Sequence, residues 1–359
     1  MIRDINSSDK TRIRRAKLFQ NSLFDRGYTP LISFHHISEL IKHKDMVVGR
    51  DSVTFLRSIA AVAWIRSHSD RNIAGAATDV FAAEVAAALT ITDATAVQVQ
   101  AKAAQKIIQF GSGDDVIRPY LGNWQLLLPH LWEQEKRARE IMAISSADFL
   151  KESGLRLSDI LRGDLKSPAE ATRRLKAMHK RLTEDIQKYR DKKLSDSAGT
   201  SLKFFSDVGA AAEGLGNGGP DAIVRLLETQ GIDPTDIKNI KEPEELGDLA
   251  TFRSQLKIIA DSIGVGWNIL KGKIDPNSIP SWIIQKELRK HRDPKLRRDG
   301  SELTDRHLAC LAAYGDVIYV DKRIHENVLR ARRKSRTFLS LVRRIEKISH
   351  YTNVIEGIR

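Results

Sequence analysis

The chain is poor in cysteine, in aromatic residues and in long apolar runs, and it has fewer acidic than basic side chains. Its one cysteine, Cys310, excludes an internal disulfide and a cysteine-based zinc site, and its apolar neighbours predict a core position. No apolar run reaches the roughly 18 residues of a transmembrane helix, and the segment from Arg3 to Arg15 is too charged for a signal peptide. We therefore expect a cytoplasmic protein.

The length of 359 residues predicts two domains, or one domain with a large insertion. Signals for strands occur near the two ends of the chain, whereas helical periodicity dominates between them. The predicted strands cover residues 1–4, 30–34, 60–65 and 317–320. The predicted helices cover residues 8–26, 36–44, 51–59, 73–89, 94–110, 167–193, 204–212 and 251–272.

A glycine-rich segment at 214–219 matches the spacing of a dinucleotide-binding loop. The residues before it predict a helix, whereas the dinucleotide motif must follow a strand. We therefore interpret the segment as a flexible loop.

The formal net charge is +13, and much of it comes from two basic runs. The first run is Lys286, Arg289, Lys290, Arg292, Lys295, Arg297 and Arg298. The second run is Lys322, Arg323, Arg330, Arg332, Arg333, Lys334, Arg336, Arg343 and Arg344, with Glu326 as its single acid. One such run is typical of a solvated helix face, but two runs indicate a surface for a polyanion. Nucleic acid is favoured over a membrane, which would also require an apolar face and exposed aromatic residues.

Four acidic residues near the chain ends have the local context of metal ligands. Asp4 and Glu39 lie close to predicted strands of the N-terminal part, and Asp305 and Asp321 lie at a predicted helix start and strand end. Carboxylates at the carboxyl ends of parallel strands can converge. Four of them would hold Mg²⁺ or Mn²⁺, which bind oxygen ligands and can activate water in phosphodiester cleavage.

Each acid also has a structural interpretation. Asp4 can be a terminal or helix-capping residue, and Glu39 can be a solvated helix position. Asp305 can stabilise a helix start through the helix dipole. Asp321 is the hardest to explain structurally, because it directly follows a predicted strand.

The order and spacing of these acids resemble the PIN domain ribonucleases and their PIN-like relatives. The motif Asp4-Ile5-Asn6 resembles the first-strand motif of that family, and Glu39, Asp305 and Asp321 match its later acids. The resemblance implies an α/β fold with a parallel sheet sandwiched by helices. The nuclease domain would comprise residues 1–66 and 290–359, with residues 67–289 as an all-helical insertion.

The resemblance implies a metal-dependent endonuclease that cleaves RNA in preference to DNA, with Asp4, Glu39, Asp305 and Asp321 as catalytic metal ligands. Asn6 and Ser33 are auxiliary candidates, and Ser33 is equally typical of a helix cap. Candidate nucleic-acid contacts are Lys290, Arg297, Arg298, Lys322, Arg323, Arg330, Arg332 and Arg333.

Such an enzyme would need restraint in its own cell. The candidates are a regulatory protein, assembly with further copies of the chain, or the narrow substrate choice of a toxin or defence effector. The alternative is a catalytically inactive PIN-like protein that binds nucleic acid or acts as a scaffold.

Overall fold

The computed structural model shows a mostly helical α/β protein with two small sheets. It describes residues 4, 7–43, 45–122, 124–145, 168–194, 196–213, 228, 231–233, 236, 240, 243–292, 300–348 and 350–357. The predicted loop at 214–219 and residues 1–3 of the predicted first strand lie outside these residues, as do Asn6, Arg297 and Arg298. In the described part, no helix is both long enough and apolar enough to span a bilayer.

The chain divides into two compact units. Unit 1 comprises residues 1–133, 274–292 and 304–359, and unit 2 comprises residues 134–273 and 293–303. Unit 1 therefore combines N-terminal and C-terminal segments of the chain. It also contains residues 77–107, which the sequence analysis assigned to the helical insertion.

Unit 1 begins with helices and strands in alternation. Its first helices are α1 Lys10–Asp25, α2 Phe34–Ile41, α3 Met46–Arg57, α4 Ala77–Ala88, α5 Ala96–Ile107 and α6 Gly113–Leu121. Its strands are β1 Leu31–Ile32, β2 Val62–Ile65, β3 Ile108–Gly111, β4 Val317–Val320 and β5 Arg344–Lys347. Helix α7, Trp124–Ser145, runs from unit 1 into unit 2.

The later part of unit 1 is built around helix α12, Pro280–Lys290. Helix α13, Ser301–Ala309, starts in unit 2 and continues into unit 1, where it ends in a 3₁₀ turn, Cys310–Ala313, that leads to β4. The chain then forms α14 Lys322–Lys334, α15 Arg336–Leu341, β5 and α16 Thr352–Gly357.

The five strands form two sheets. In the first sheet, β1 pairs parallel with β2, and β2 pairs antiparallel with β3. In the second, β4 pairs parallel with β5, with Val317 opposite Arg344. The described strands thus do not form the single parallel sheet that the resemblance implies, because β4 is not hydrogen-bonded to β1 or β2.

Side-chain caps explain where several helices begin. The Asp9 carboxylate accepts from the amide of Thr11 at 2.8 Å, and the Asp45 carboxylate accepts from that of Val47 at 2.9 Å. Thr95 caps α5. Such caps satisfy amides that have no partner within the helix.

The core of unit 1 consists of apolar clusters on both sheets. One cluster packs α2, α3 and α6 around the buried ring of Trp64. A second packs α12, α14 and α15 around Phe338 and includes Cys310, both with no exposed area, which confirms the predicted core position of the cysteine.

Unit 2 is helical in its described part. Its helices are α8 Pro168–Tyr189, α9 Ser197–Glu213, α10 Pro243–Ile263 and α11 Trp267–Lys273. Helices α8 and α9 pack through Leu182 and Ile186, which are fully buried, against Phe204 and Phe205. The long amphipathic helix predicted over 167–193 is therefore a packed helix of this unit.

Candidate functional site

Three of the four predicted metal ligands, Asp4, Glu39 and Asp321, each have local partners of their own. The hydroxyl of Tyr351 donates to Asp4 Oδ2 at 2.7 Å, and this bond lowers the pKa of Asp4. The exposed Glu39 lies one helical turn from Lys42, whose Nζ is 2.5 Å from Glu39 Oε1. Asp305 lies at the fifth position of α13 and does not open the helix, because α13 begins at Ser301.

Asp321 is the N-cap of α14. Its Oδ1 accepts from the amide of Ile324 at 2.7 Å, and its Oδ2 lies 3.7 Å from Arg323 Nη2. The predicted position at the end of a strand is confirmed, since β4 ends at Val320. The carboxylate thus has a structural role as a helix cap, which its position directly after a strand did not indicate.

The carboxylates do not assemble into a metal centre. Among the described residues, no group of three or more histidine, cysteine, aspartate or glutamate side chains is arranged to hold a metal ion. The oxygens of Asp4 and Asp321 accept hydrogen bonds from Tyr351 and Ile324, and Glu39 is paired with Lys42. As placed, these residues form no group that fits Mg²⁺ or Mn²⁺, which take several oxygen ligands around one ion.

The structure does bring two of the predicted elements together. The rings of His35 in α2 and His307 in α13 lie 5.3 Å apart, so the helices that carry Glu39 and Asp305 are in contact. Burial lowers the pKa of His35, although the charges of Glu39 and Asp79 oppose the shift. Burial and the neighbouring His35 lower the pKa of His307 to about 3. Both imidazoles are therefore neutral near pH 7.

The auxiliary candidate Ser33 lies at the carboxyl end of β1 and is 1% exposed. Its amide donates to His36 Nδ1 at 3.0 Å, and its hydroxyl lies at the same distance from that nitrogen. Burial lowers the pKa of His36 to about 4. Ser33 and His36 thus fix the start of α2, which is the capping role considered from the sequence.

A carboxylate that the sequence analysis did not select, Asp79, organises the loop after β2. Its Oδ1 accepts from His68 Nδ1 at 2.8 Å, from the amide of His68 at 2.9 Å and from Ser67 Oγ at 3.0 Å. Its Oδ2 accepts from the amide of Ala76 at 2.7 Å. The available signal was an acid in the first turn of a helix, which does not reveal its partners. These hydrogen bonds hold Ser67, His68 and Ala76 around one carboxylate and so stabilise the loop.

The basic side chains of α14 lie on the side away from the core. Ile324, Val328 and Ala331 are buried, and they recur at the spacing of one helix face. Arg333 and Lys334 are exposed at the end of the helix, and Arg336 is exposed at the start of α15. In the part of the chain that the structure describes, no carboxylate pairs with these three cations.

The two predicted basic runs meet in space. Arg330 Nη1 donates to the carbonyl oxygen of His291 at 3.2 Å, which joins α14 to the end of α12. Burial lowers the pKa of His291; Glu287 opposes this shift, and the charges of Lys334 and Lys290 add to it. Lys290 and Lys334 therefore lie near the same imidazole, although 44 residues separate them in sequence. We call Lys290, Arg330, Arg333, Lys334 and Arg336 the joined basic surface.

The other candidate nucleic-acid contacts have different surroundings. Lys322 Nζ lies 3.9 Å from Glu326 Oε1, and Arg323 is near Asp321. Arg332 is only partly exposed. These three residues are therefore less available to an external anion than Arg333 and Lys334.

Comparisons with known proteins add no assignment. No family model, curated protein or solved structure matches this chain. Its function therefore has to be inferred from its own residues.

Proposed function

We propose that this protein binds nucleic acid through the joined basic surface, by contacts to phosphate that do not depend on base sequence. The observation that carries the proposal is the bond between Arg330 and the carbonyl of His291, which unites basic runs from α12 and α14. A cluster of cations attracts the phosphate groups of a nucleic-acid backbone. Neutralising them releases counterions and supplies most of the affinity.

The composition of the surface favours nucleic acid over a membrane. Helix α14 buries its apolar face in the core, and the one aromatic residue of α15, Phe338, has no exposed area. Leu329 and Leu339 are 41% and 48% exposed, but no exposed aromatic side chain accompanies them on these two helices. A helix that lies in a membrane surface would present a wide apolar face.

The test is binding of fluorescently labelled RNA and DNA, each as single strand and duplex. In the test variant, Lys290, Arg333 and Lys334 are replaced by Gln. In the control variant, Lys176, Lys180 and Lys257, which are exposed in unit 2, are replaced by Gln, so that the net charge changes equally. We expect the dissociation constant of the test variant to rise by about tenfold or more at low salt, because three phosphate contacts are lost.

The control variant should bind almost as tightly as the wild type. If both variants weaken binding equally, net charge alone explains the affinity and the proposal fails. If neither the wild type nor the variants bind any of the four nucleic acids, the proposal also fails.

The metal-dependent PIN-like endonuclease remains a second proposal. One specific observation favours it. The contact between His35 and His307 shows that the helices carrying Glu39 and Asp305, which are distant in sequence, are close in space. The carboxylates as placed do not fit a metal ion. For this reason, nucleic-acid binding is the function that the geometry supports best.

Cleavage is tested on the same labelled substrates with Mg²⁺ or Mn²⁺. The wild type is compared with Asp305→Asn and Asp321→Asn. Cutting by the wild type that both variants lose while they still bind would support the nuclease. Equal cutting by all three proteins would indicate a contaminant, and no cutting would leave nucleic-acid binding as the function.

A further inference from the structure

Glu84 is an acidic side chain enclosed in the core of unit 1. It lies in α4 with no exposed area, and no basic side chain among the described residues pairs with it. Acidic residues are rarely buried without a cation, because the charged form loses its hydration. The position therefore requires a specific explanation.

The carboxyl group of Glu84 connects three segments that are distant in sequence. The amide of Ser281 donates to Oε2 at 3.0 Å and to Oε1 at 3.1 Å, and Ser281 Oγ donates to Oε2 at 2.6 Å. The hydroxyl of Tyr314 donates to Oε1 at 2.6 Å. Glu84 thus holds α4, the start of α12 and the turn before β4 together.

The start of α12 has no side-chain cap of its own. Its N-cap residue, Ile279, cannot accept a hydrogen bond through its side chain, and Pro280 has no amide hydrogen. The Ser281 amide would remain buried without a partner if Glu84 were absent. The opposite end of α12 carries Lys290, so Glu84 anchors a helix that contributes to the joined basic surface.

The surroundings of Glu84 disfavour its negative charge. Burial raises the pKa of Glu84 to about 7, and the hydrogen bonds from Ser281 and Tyr314 offset only part of this effect. The titratable groups that face it are Tyr314 and Cys310, whose pKa values are both raised by burial and by the charge of Glu84. Both groups remain protonated near neutral pH, so only Glu84 changes charge there.

We propose that Glu84 forms a pH-sensitive contact in the core. It binds a proton in the folded protein, and release of that proton weakens the packing of α12 and of the turn before β4 against α4. The neutral acid can donate its own proton to one partner while accepting from the others. The ionised form can accept the same hydrogen bonds, but its charge has no compensating cation among the described residues, so the packing of α12 and of the turn around it becomes less stable.

The sign of the pH dependence follows from the direction of the shift. The pKa of Glu84 is about 7 in the folded protein, above its ordinary value of 4.5. The stability that this group contributes is therefore complete below its ordinary pKa and is lost as pH rises through about 7. Between about pH 5 and about pH 8, we expect Glu84 alone to raise the unfolding equilibrium constant on the order of 100-fold.

The experiment is urea unfolding of the wild type and Glu84→Gln across this pH range. Gln resembles the protonated acid in shape and charge, so the unfolding constant of the variant should lack this 100-fold rise. Glu326→Gln, at a glutamate whose side chain is 42% exposed, is the matched control and should follow the wild type. Parallel pH profiles for the wild type and Glu84→Gln would overturn the proposal.

A second variant keeps the test decisive if Glu84→Gln does not fold. Tyr314→Phe removes a hydrogen bond that lowers the pKa of Glu84, so the loss of stability should move to higher pH. Hydrogen exchange of the Ser281 amide in the wild type, corrected for its intrinsic pH dependence, should become less protected as pH rises. If the pH at which stability is lost does not shift in Tyr314→Phe, or if protection of the Ser281 amide stays constant with pH, the proposal is overturned.

Discussion

Replacing Asp79 tests the loop that follows β2. Asp79 is 8% exposed and accepts hydrogen bonds from two backbone amides, those of His68 and Ala76, and from Ser67 Oγ. Asp79→Ala would leave both amides without this partner close to the start of α4. Hydrogen bonds to charged groups contribute about 1.5–3 kcal/mol, and partial access of water to the loop reduces the sum.

We therefore expect Asp79→Ala to lower the free energy of unfolding by about 3 kcal/mol, and Asp79→Asn to lower it by about half of that, since one acceptor oxygen remains. Urea unfolding followed by circular dichroism measures both values. Asp70→Ala, at an exposed acid of the same loop that accepts from one amide, is the control and should cost less than about 1 kcal/mol. If Asp79→Ala costs no more than this control, Asp79 does not organise the loop.

Two further substitutions test the C-terminal part of unit 1. Phe338→Ala should lower the free energy of unfolding by about 3–5 kcal/mol, because removal of a fully buried ring leaves a cavity. Leu339→Ala, at a position that is 48% exposed, should lower it by less than about 1 kcal/mol. Similar losses for the two variants in urea unfolding would contradict the burial of Phe338. Asp321→Ala should cost about 1 kcal/mol through loss of the bond from the Ile324 amide, whereas Asp321→Asn, which can still cap α14, should cost little. Equal thermal stability of the two Asp321 variants would argue against the cap.

Local sequence signals predicted the first five helices of unit 1, α1 to α5. The helix predicted over 8–26 is Lys10–Asp25, with Asp9 as its cap, and the strand predicted at 317–320 has those bounds in the structure. These elements combine helical or strand periodicity with a clear capping residue at a boundary.

Elements that depend on tertiary pairing were not predictable in the same way. The predicted helix over 94–110 was wrong at its end, because α5 stops at Ile107 and β3 begins at Ile108 without a turn residue between them. Pairing with β2 decides this change of conformation, and helical periodicity cannot reveal it. The helix predicted over 251–272 was wrong for a related reason, since Gly264, with a positive φ, separates α10 from α11.

The sequence predicted the charged residues of the candidate site, but not which of them lie close together. The basic runs that contain Lys290 and Lys334 are evident in the sequence, but the contact between Arg330 and His291 depends on how α12 and α14 pack. The acids show the converse. Their spacing suggested a common metal centre. In the structure, Asp4 accepts a hydrogen bond from the Tyr351 hydroxyl, and Asp321 accepts one from the Ile324 amide. Short carboxylates readily accept such hydrogen bonds, and sequence spacing does not reveal them.

The salt dependence of nucleic-acid affinity tests the central claim most directly. The logarithm of the association constant for duplex DNA should fall linearly with the logarithm of salt concentration, with a slope of about −0.9 for each phosphate neutralised. The variant with Lys290, Arg333 and Lys334 replaced by Gln should therefore have a slope shallower by about 2.7, which corresponds to three lost contacts. An unchanged slope in this variant would contradict the assignment of the joined basic surface as the site where phosphate binds.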